Sequence, residues 1–286
     1  EGRGGASLLR DQAQCPFRAF ALHRLRAEEF PEVEIGLSAQ DRGVILHAAI
    51  RFCWDVLKDL ATLRAAETGR LTLIIRTAVK RALTECGGES KELFDARVRE
   101  VEQQRLERLL QLWLDVEKER EANFTVTGSE RTVNVELGGL KLKTQYDRRD
   151  ELDDGRLVLI DYKSNAPSPS AWDGERPDEP QVPLYAVAAK RPVAALAFAQ
   201  LKRAEPRFKG VAEQAGILPK IKAGEATMAE RVEDWARVLE KLAVEHKGGW
   251  AAVAPKSAQS CANCHLPALC RVEEAPPRTE DDDAGS

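Results

Sequence analysis

Two almost continuously apolar segments constrain the fold of this chain more than any other feature. They are residues 157–162 (LVLIDY) and 193–201, and a Pro- and Ser-rich loop followed by a predicted short helix over residues 181–190 separates them. A strand that is apolar on both faces is typical of a sheet covered by helices on both sides. The sequence therefore predicts an α/β fold with these two strands at its centre.

The rest of the chain divides into a helical first part and a strand-rich second part. Gly138-Gly139 and Asp153-Asp154-Gly155 are turn signals that join neighbouring strands. Asp41 is a candidate cap for the second helix. The predicted helices cover residues 7–26 (interrupted near Cys15), 41–67, 71–85, 89–121 and 228–246, and the further strands cover 124–126, 132–137 and 140–146. We expect a central mixed β-sheet flanked by helices, with a large N-terminal helical insertion.

Composition and charge exclude several classes of protein. No apolar run approaches the roughly 20 residues that a membrane-spanning helix needs, and no secretory signal is present. The net charge is −4, of which the tail at 272–286 carries −5, so the remainder is near neutral and has no general basic field for nucleic acid. We expect a cytoplasmic protein with no membrane segment, a disordered acidic tail and, because Met228 is the single methionine, an excised part of a longer chain.

Two carboxylates and a lysine are predicted to meet at the ends of two neighbouring strands. Asp147 ends one predicted strand, and Asp161 and Lys163 lie two residues apart, on the same face, near the end of the next. Converging carboxylates repel each other unless a cation lies between them, and oxygen ligands suit Mg²⁺ or Mn²⁺. The pattern indicates metal-assisted phosphodiester hydrolysis; a structural salt bridge between Asp161 and Lys163 is the alternative.

The surrounding motifs resemble the core of the PD-(D/E)XK nuclease superfamily, and specifically the RecB-like nuclease domains. The matching segments are RGVILH with Arg42, Gly43 and His47; YDRRDELDDGR with Asp147; LVLIDYKSN with Asp161 and Lys163; and QVPLY with Gln181 and Tyr185. The chain departs from the family at Thr144, where a glycine is usual, and Glu130 could match an additional acidic position seen in some members.

The resemblance implies a role for each of these residues. Lys163, Asp161, Asp147, Gln181 and Tyr185 would form the catalytic site, and the metal would be held by His47, Asp147, Asp161 and the backbone carbonyl of Tyr162. It also implies a restriction-endonuclease-like core. Taken singly, His47 could instead be a packed histidine, and Gln181 and Tyr185 could be ordinary neighbours on a helix.

Four of the six cysteines follow a metal-ligand spacing. Cys261, Cys264 and Cys270 form a C-x2-C-x5-C run, and Cys15, at the opposite end of the chain, is the natural fourth ligand. The spacing alone permits a Zn²⁺ site, in which His265 could also take part. The layout, with CPFRAF around Cys15, resembles the iron–sulfur branch of the same superfamily, found in AddB-like subunits, and this implies a 4Fe–4S cluster that clasps the two ends of the chain.

These observations together predict one RecB-like nuclease domain over residues 1–271. It would comprise a helical part at 41–122, a catalytic core at 123–205, and cluster-binding ends at Cys15 and 261–270. The resemblance implies a Mg²⁺- or Mn²⁺-dependent deoxyribonuclease in DNA end processing or repair, associated with a helicase domain or subunit. We expect single-stranded DNA as the preferred substrate. The alternatives are a catalytically inactive DNA-binding module and a zinc-stabilised interaction module.

Overall fold

The computed structural model describes residues 4–29, 37–86, 96–202 and 205–274 of the chain. The beginning of the predicted helix at 89–121 and most of the predicted acidic tail lie outside the described residues. Within the described ranges, no helix is both long enough and apolar enough to cross a bilayer.

Helices form the first third of the described chain and also flank the sheet. A five-residue π-helical segment, Ala21–Leu25, directly follows the second helix. The helices are α1 (Ala6–Gln14), α2 (Pro16–Phe20), α3 (Ala39–Leu57), α4 (Leu60–Ala65), α5 (Thr68–Glu85), α6 (Ala96–Lys118), α7 (Gln181–Ala188), α8 (Met228–Lys247), α9 (Ala258–Ala262) and α10 (Pro267–Cys270).

Five strands of the described residues form one mixed sheet in the order β1-β2-β3-β4-β5. The β3–β4 pair is parallel, and the other three pairs are antiparallel. The two predicted apolar segments are the adjacent strands β3 and β4, so the prediction of an α/β fold with a mixed central sheet is confirmed. The strands are β1 (Phe124–Leu137), β2 (Leu140–Leu152), β3 (Leu157–Lys163), β4 (Val193–Gln200) and β5 (Arg207–Ala212).

Helices cover the central strands from both sides, which explains why β3 and β4 are apolar along most of their length. Val158 and Ile160 pack into one core with α3 to α6, whereas Leu159 and Phe198 pack on the opposite face with α7 and Trp235 of α8. All eight residues of β4 are buried. The short helix between the two parallel strands, α7, therefore lies against the sheet beside the end of β3.

The helix predicted over residues 41–67 differs from its prediction at both ends. Ser38, and not Asp41, caps α3; Asp41 is the third helical residue and completes a capping box with Ser38. The helix does not continue to residue 67, because Lys58 has a left-handed φ of 64° and ends α3, and Asp59 then caps the separate helix α4. The apolar spacing is the same on both helices, so periodicity alone does not reveal this break.

Two features of the sheet also differ from the sequence prediction. Asp147 does not end a strand, because β2 continues to Leu152 through four charged residues that are alternately buried and half-buried. The short strand β5 was not predicted, since its sequence, RFKGVA, is neither alternating nor apolar. The Gly138-Gly139 and Asp153-Asp154-Gly155 turns lie between β1 and β2 and between β2 and β3, as expected.

The cap of α3 yields the first prediction, because this helix carries His47. Ser38→Ala removes the acceptor for the Asp41 N–H, which lies 3.0 Å from Ser38 Oγ, and should lower the free energy of unfolding by about 1 kcal/mol. Urea denaturation measures this loss. Ser170→Ala, at an exposed position, is the control; an equal effect in both variants would contradict the assignment of the cap.

Candidate active site

The strands β2 and β3 separate at the residue that the sequence singles out. Their last backbone pair is Arg148 with Ile160, and one step further along the register Asp147 and Asp161 stand opposite each other. Asp147 Oδ2 accepts a hydrogen bond from the backbone N–H of Tyr162 at 2.7 Å, so a side chain takes the place of a ladder partner. Two like charges therefore face each other where the strands part, an arrangement that destabilises a sheet.

His47 approaches the same point from α3, about two and a half turns after the Ser38 cap. Its Nδ1 lies 3.4 Å from Asp147 Oδ1, and its Nε2 lies 3.0 Å from the Tyr162 carbonyl oxygen. Burial alone would favour the neutral ring, but the hydrogen bond with Asp147 and the charges of Asp147 and Asp161 raise the pKa of His47. Both ring nitrogens face oxygen atoms, which suits an imidazolium that donates twice.

On the side away from His47, Asp161 belongs to a closed ring of four side chains linked by polar contacts. Lys163 Nζ lies 3.3 Å from Asp161 Oδ2 and donates to Gln181 Oε1 at 3.3 Å. Gln181 Nε2 donates to the Tyr185 hydroxyl, which in turn donates to Asp161 Oδ1 at 3.2 Å. Gln181 and Tyr185 lie four residues apart on α7, so one face of this helix orients both the carboxylate and the lysine.

Asp161 is the most deeply buried carboxylate of this group, with an exposed fraction of 1%. Burial raises the pKa of Asp161 to about 7, the charge of Asp147 adds to the rise, and Lys163 and His47 oppose it. Despite the ion pair with Lys163, Asp161 Oδ2 has no partner with hydrogen-bond geometry among the described residues. Burial and the same two carboxylates also raise the pKa of Tyr185 well above its usual value, which keeps its hydroxyl a donor.

The donor set fits a hard divalent cation. Asp147, Asp161 and the Tyr162 carbonyl supply oxygen atoms, and His47 supplies a nitrogen atom. The buried Asp161 Oδ2 has an ion pair with Lys163 but no hydrogen-bond partner among the described residues. Within the described ranges, no group of three or more histidine, cysteine, aspartate or glutamate side chains forms a ready-made metal site. A bound cation would replace the contacts that His47 makes with Asp147 and with the Tyr162 carbonyl.

A fully buried network of charges lies behind the site, and the sequence analysis did not detect it. Arg148, next to Asp147 in β2, binds Asp150 Oδ1 at 2.6 Å and Glu117 of α6 at 2.5 Å, and donates to the Tyr162 hydroxyl at 3.3 Å. Arg120 joins the network at Asp150 Oδ2, 2.6 Å away. The sequence signal for this network is the period-two pattern along β2. Leu142, Arg148 and Asp150 all fall on the side of the strand that is buried.

Two further motif positions lie near the site: Glu130, a candidate additional acid, and Thr144, which stands where the family usually has glycine. Glu130 lies on β1, one step in the register from the Ser129–Arg148 pair, but its carboxylate binds Arg51 at 2.9 Å. Glu130 and Arg51 line a small pocket together with His47 and Asp147. Thr144, which replaces the usual glycine, is buried within β2 and interrupts neither the strand nor its pairing with Val133.

The structure also brings the two ends of the described chain together, near the cysteines. The N–H of Lys256 donates to the Gln14 carbonyl at 2.8 Å, and Ser260 Oγ donates to Gln14 Oε1 at 2.6 Å. Burial raises the pKa of the Cys261 thiol, and the charges of Cys15, Cys264 and Cys270 raise it further, so the four thiols lie within electrostatic reach.

Asp147, Asp161 and Lys163 meet His47 where β2 and β3 part, and the two carboxylates and the imidazole could bind a divalent cation. The sequence profile of the PD-(D/E)XK nuclease superfamily matches residues 6–271, and the chain belongs to this superfamily. The chain is therefore a nuclease-family protein, and nucleic acid is the substrate class that the family defines. A search of curated proteins finds no match.

Two solved structures resemble the chain at low sequence identity. A protein of Eubacterium rectale, described provisionally as an exonuclease, is 12% identical, with a TM-score of 0.45 over 100% of this chain and 94% of its own. A protein named SSO0001 is 13% identical, with a TM-score of 0.31 over 92% of this chain and 94% of its own.

The coupled protonation of the site yields a second prediction. Ligation of Mn²⁺ requires an ionised Asp161 and a neutral His47, so binding should release about one proton near pH 7. Because both pKa values are raised, the affinity for Mn²⁺ should fall as the pH is lowered through 7. Calorimetric titration in buffers of different ionisation enthalpy measures the released protons. Asp161→Asn should reduce their number, and a binding heat independent of the buffer would contradict the assignment.

Proposed function

We propose that the chain is a Mg²⁺- or Mn²⁺-dependent deoxyribonuclease that hydrolyses phosphodiester bonds at the end of β3. The observation that carries this proposal is the convergence of Asp147, Asp161 and Lys163 across the β2–β3 junction, with Asp161 buried and incompletely satisfied. A salt bridge that served the fold alone would not need a second carboxylate directly opposite the first.

The metal ligands in this proposal are His47, Asp147, Asp161 and the Tyr162 carbonyl. When bound, the divalent cation supplies positive charge to the scissile phosphate and lowers the pKa of a coordinated water molecule. Tyr162 contributes both of its backbone groups, because its N–H fixes Asp147 and its carbonyl oxygen faces His47. The two strands and α3 therefore share a single main-chain anchor at this residue.

Lys163 is the proposed catalytic lysine. Its ammonium group lies between Asp161 and Gln181, which directs it toward the metal side of β3 and leaves its side chain about one third exposed. From there it can orient the attacking water and offset the charge that develops on the phosphate. Gln181 holds the ammonium group, and Tyr185 holds the Asp161 carboxylate, so that neither must reorganise during the reaction.

The finer features of the proposal concern the substrate and the biological context. We infer that single-stranded DNA is the preferred substrate, because the near-neutral body of the chain offers no broad basic surface to a duplex. DNA end processing or repair, with exonucleolytic cleavage and a helicase domain or subunit as partner, is the context that the RecB-like motifs suggest.

Substitutions at the centre of the site test the nuclease proposal. Lys163→Ala and Asp161→Asn should each lower the rate of Mg²⁺-dependent cleavage of a labelled single strand by about 100-fold or more, because each removes a preorganised charge. At pH values above 7, Asp161→Asn should also raise the midpoint temperature of thermal unfolding of the metal-free protein. The substitution removes a buried carboxylate whose ionisation is unfavourable.

Matched surface variants provide the control for this experiment. Lys80→Ala on α5 and Asp55→Asn on α3 change the same residue types at exposed positions and should leave cleavage unchanged. Wild-type protein that binds DNA without cleaving it would instead support the inactive binding module.

We further propose that Cys15, Cys261, Cys264 and Cys270 bind a 4Fe–4S cluster, with Zn²⁺ as the alternative. The charges of Cys15, Cys264 and Cys270 all act on the Cys261 thiol, which supports a common site. His265 is the weaker candidate, because its Nε2 lies 2.9 Å from the Ala27 carbonyl oxygen and its Nδ1 lies 3.8 Å from Glu29. Three C-terminal ligands and one N-terminal ligand would fasten α1 to the end of the chain.

Metal analysis after anaerobic purification tests the cluster. We expect a coloured protein with iron and inorganic sulfide, and we expect Cys15→Ala to lose the iron and to unfold at a lower temperature. Cys53→Ala, at a buried cysteine outside the group, should retain the iron. Zinc without iron, or full iron content in the Cys15→Ala variant, would overturn the proposed ligand set.

A further inference from the structure

A polar groove lies beside the catalytic ring, between α1, β2 and the start of α7. Its volume is about 410 Å³, which is within the range of about 300–1,000 Å³ typical of ligand-binding clefts. The side chains that matter for its chemistry are Ser7, Arg10, Lys143, Gln145, Glu179 and Gln181. No aromatic side chain of the described residues lines it, so it has no platform on which a nucleobase could stack.

Gln181 connects this groove to the proposed catalytic centre. Its side chain accepts the hydrogen bond from Lys163, and the same residue forms part of the groove wall. On β2, Lys143, Gln145 and Asp147 occupy alternate positions on the more exposed face of the strand. Lys143 and Asp147 are four positions apart on the strand, or about 14 Å, so Lys143 is too distant to contact the phosphate that is cleaved.

Two cations of the groove are uncompensated. Arg10 and Lys143 are exposed, and neither forms an ion pair within the described ranges of the chain. Neighbouring cations do form such pairs: Arg18 binds Asp11 at 3.1 Å, and Lys256 binds Asp178 at 2.7 Å. Glu179 is the one acidic residue among the described residues of the lining, and it leaves the groove with a net positive charge.

The backbone adds to this positive character. Helices α1 and α7 both begin at the groove, and their N-cap residues, Gly5 and Pro180, have no side chain that can accept a hydrogen bond from the first turn. The first N–H groups of a helix and its dipole favour an anion nearby. Pro183 removes one such N–H from α7, so the side chains of Arg10 and Lys143 remain the main source of charge.

We propose that this groove binds the sugar-phosphate backbone of a nucleic-acid single strand next to the cleaved bond, with Arg10 and Lys143 contacting a phosphate that stays intact. The inference rests on the proposed nuclease function and assigns the path of the substrate strand on one side of the active site. Because the lining offers cations and amides but no aromatic ring, recognition is directed to phosphates and does not depend on base sequence.

Binding of a fluorescein-labelled oligothymidylate, measured by anisotropy in EDTA over a range of salt concentrations, tests the groove without cleavage. The double variant Arg10→Ala/Lys143→Ala should bind about 10-fold more weakly, and its slope of log affinity against log salt should be smaller in magnitude by about 1.4, for two lost phosphate contacts. Lys143→Arg should retain the wild-type slope. Arg70→Ala/Lys80→Ala, which removes two exposed cations of α5, should bind as the wild type does.

Cleavage kinetics then separate the groove from the proposed function. In Mg²⁺, the groove variant should raise KM and leave kcat within about twofold, because the lost contacts hold ground state and transition state alike. An unchanged affinity, salt slope and KM in an otherwise active protein would overturn the groove and leave the nuclease intact. A wild type that binds the strand but never cleaves it, with binding lost in the groove variant, would overturn the nuclease and leave the groove.

Discussion

The repulsion between the carboxylates of Asp147 and Asp161 is the constraint on which the other features of the site depend. The register of β2 and β3 forces the two groups together, and each is then compensated from a different element of the fold. His47 of α3 approaches Asp147, Lys163 extends from the end of β3, and Tyr185 of α7 donates to Asp161. Helices on both faces of the sheet are thus needed to compensate the charges of these two carboxylates.

The buried network behind the site gives this arrangement its rigidity. Arg148 and Arg120 are matched by Glu117 and Asp150, so the interior carries two charges of each sign. Removing a single member would leave a buried charge without its partner, which typically lowers the free energy of unfolding by about 3–5 kcal/mol. Because Arg148 directly follows Asp147 and also contacts Tyr162, the network fixes the strand segments on both sides of the proposed metal site.

The sequence predicts the parts of this protein that depend on local pattern and on recognised motifs. The apolar runs predict β3 and β4, and the motif residues from His47 to Tyr185 do converge, although their chemical roles remain proposals. What the sequence does not reveal depends on tertiary contacts: the left-handed Lys58 that ends α3, the internal position of Asp147 in β2, and strand β5. Charged residues in a strand suggest a solvated surface, and only the alternation that Arg148 shares with Leu142 indicates that its side chain is buried.

The second strand of the sheet is longer than its role at the catalytic junction requires. Residues 140–146 pair with β1 alone and extend beyond the last contact with β3 as a two-stranded ribbon. Lys143 belongs to this extension, whereas Asp161 belongs to the central sheet. Lys143, which would contact the substrate strand, and Asp161, which would bind the metal, therefore lie in different stretches of the chain. If the proposed roles hold, evolution could change how the substrate strand is bound by exchanging residues of the ribbon, while the residues of β3 and α7 stay the same.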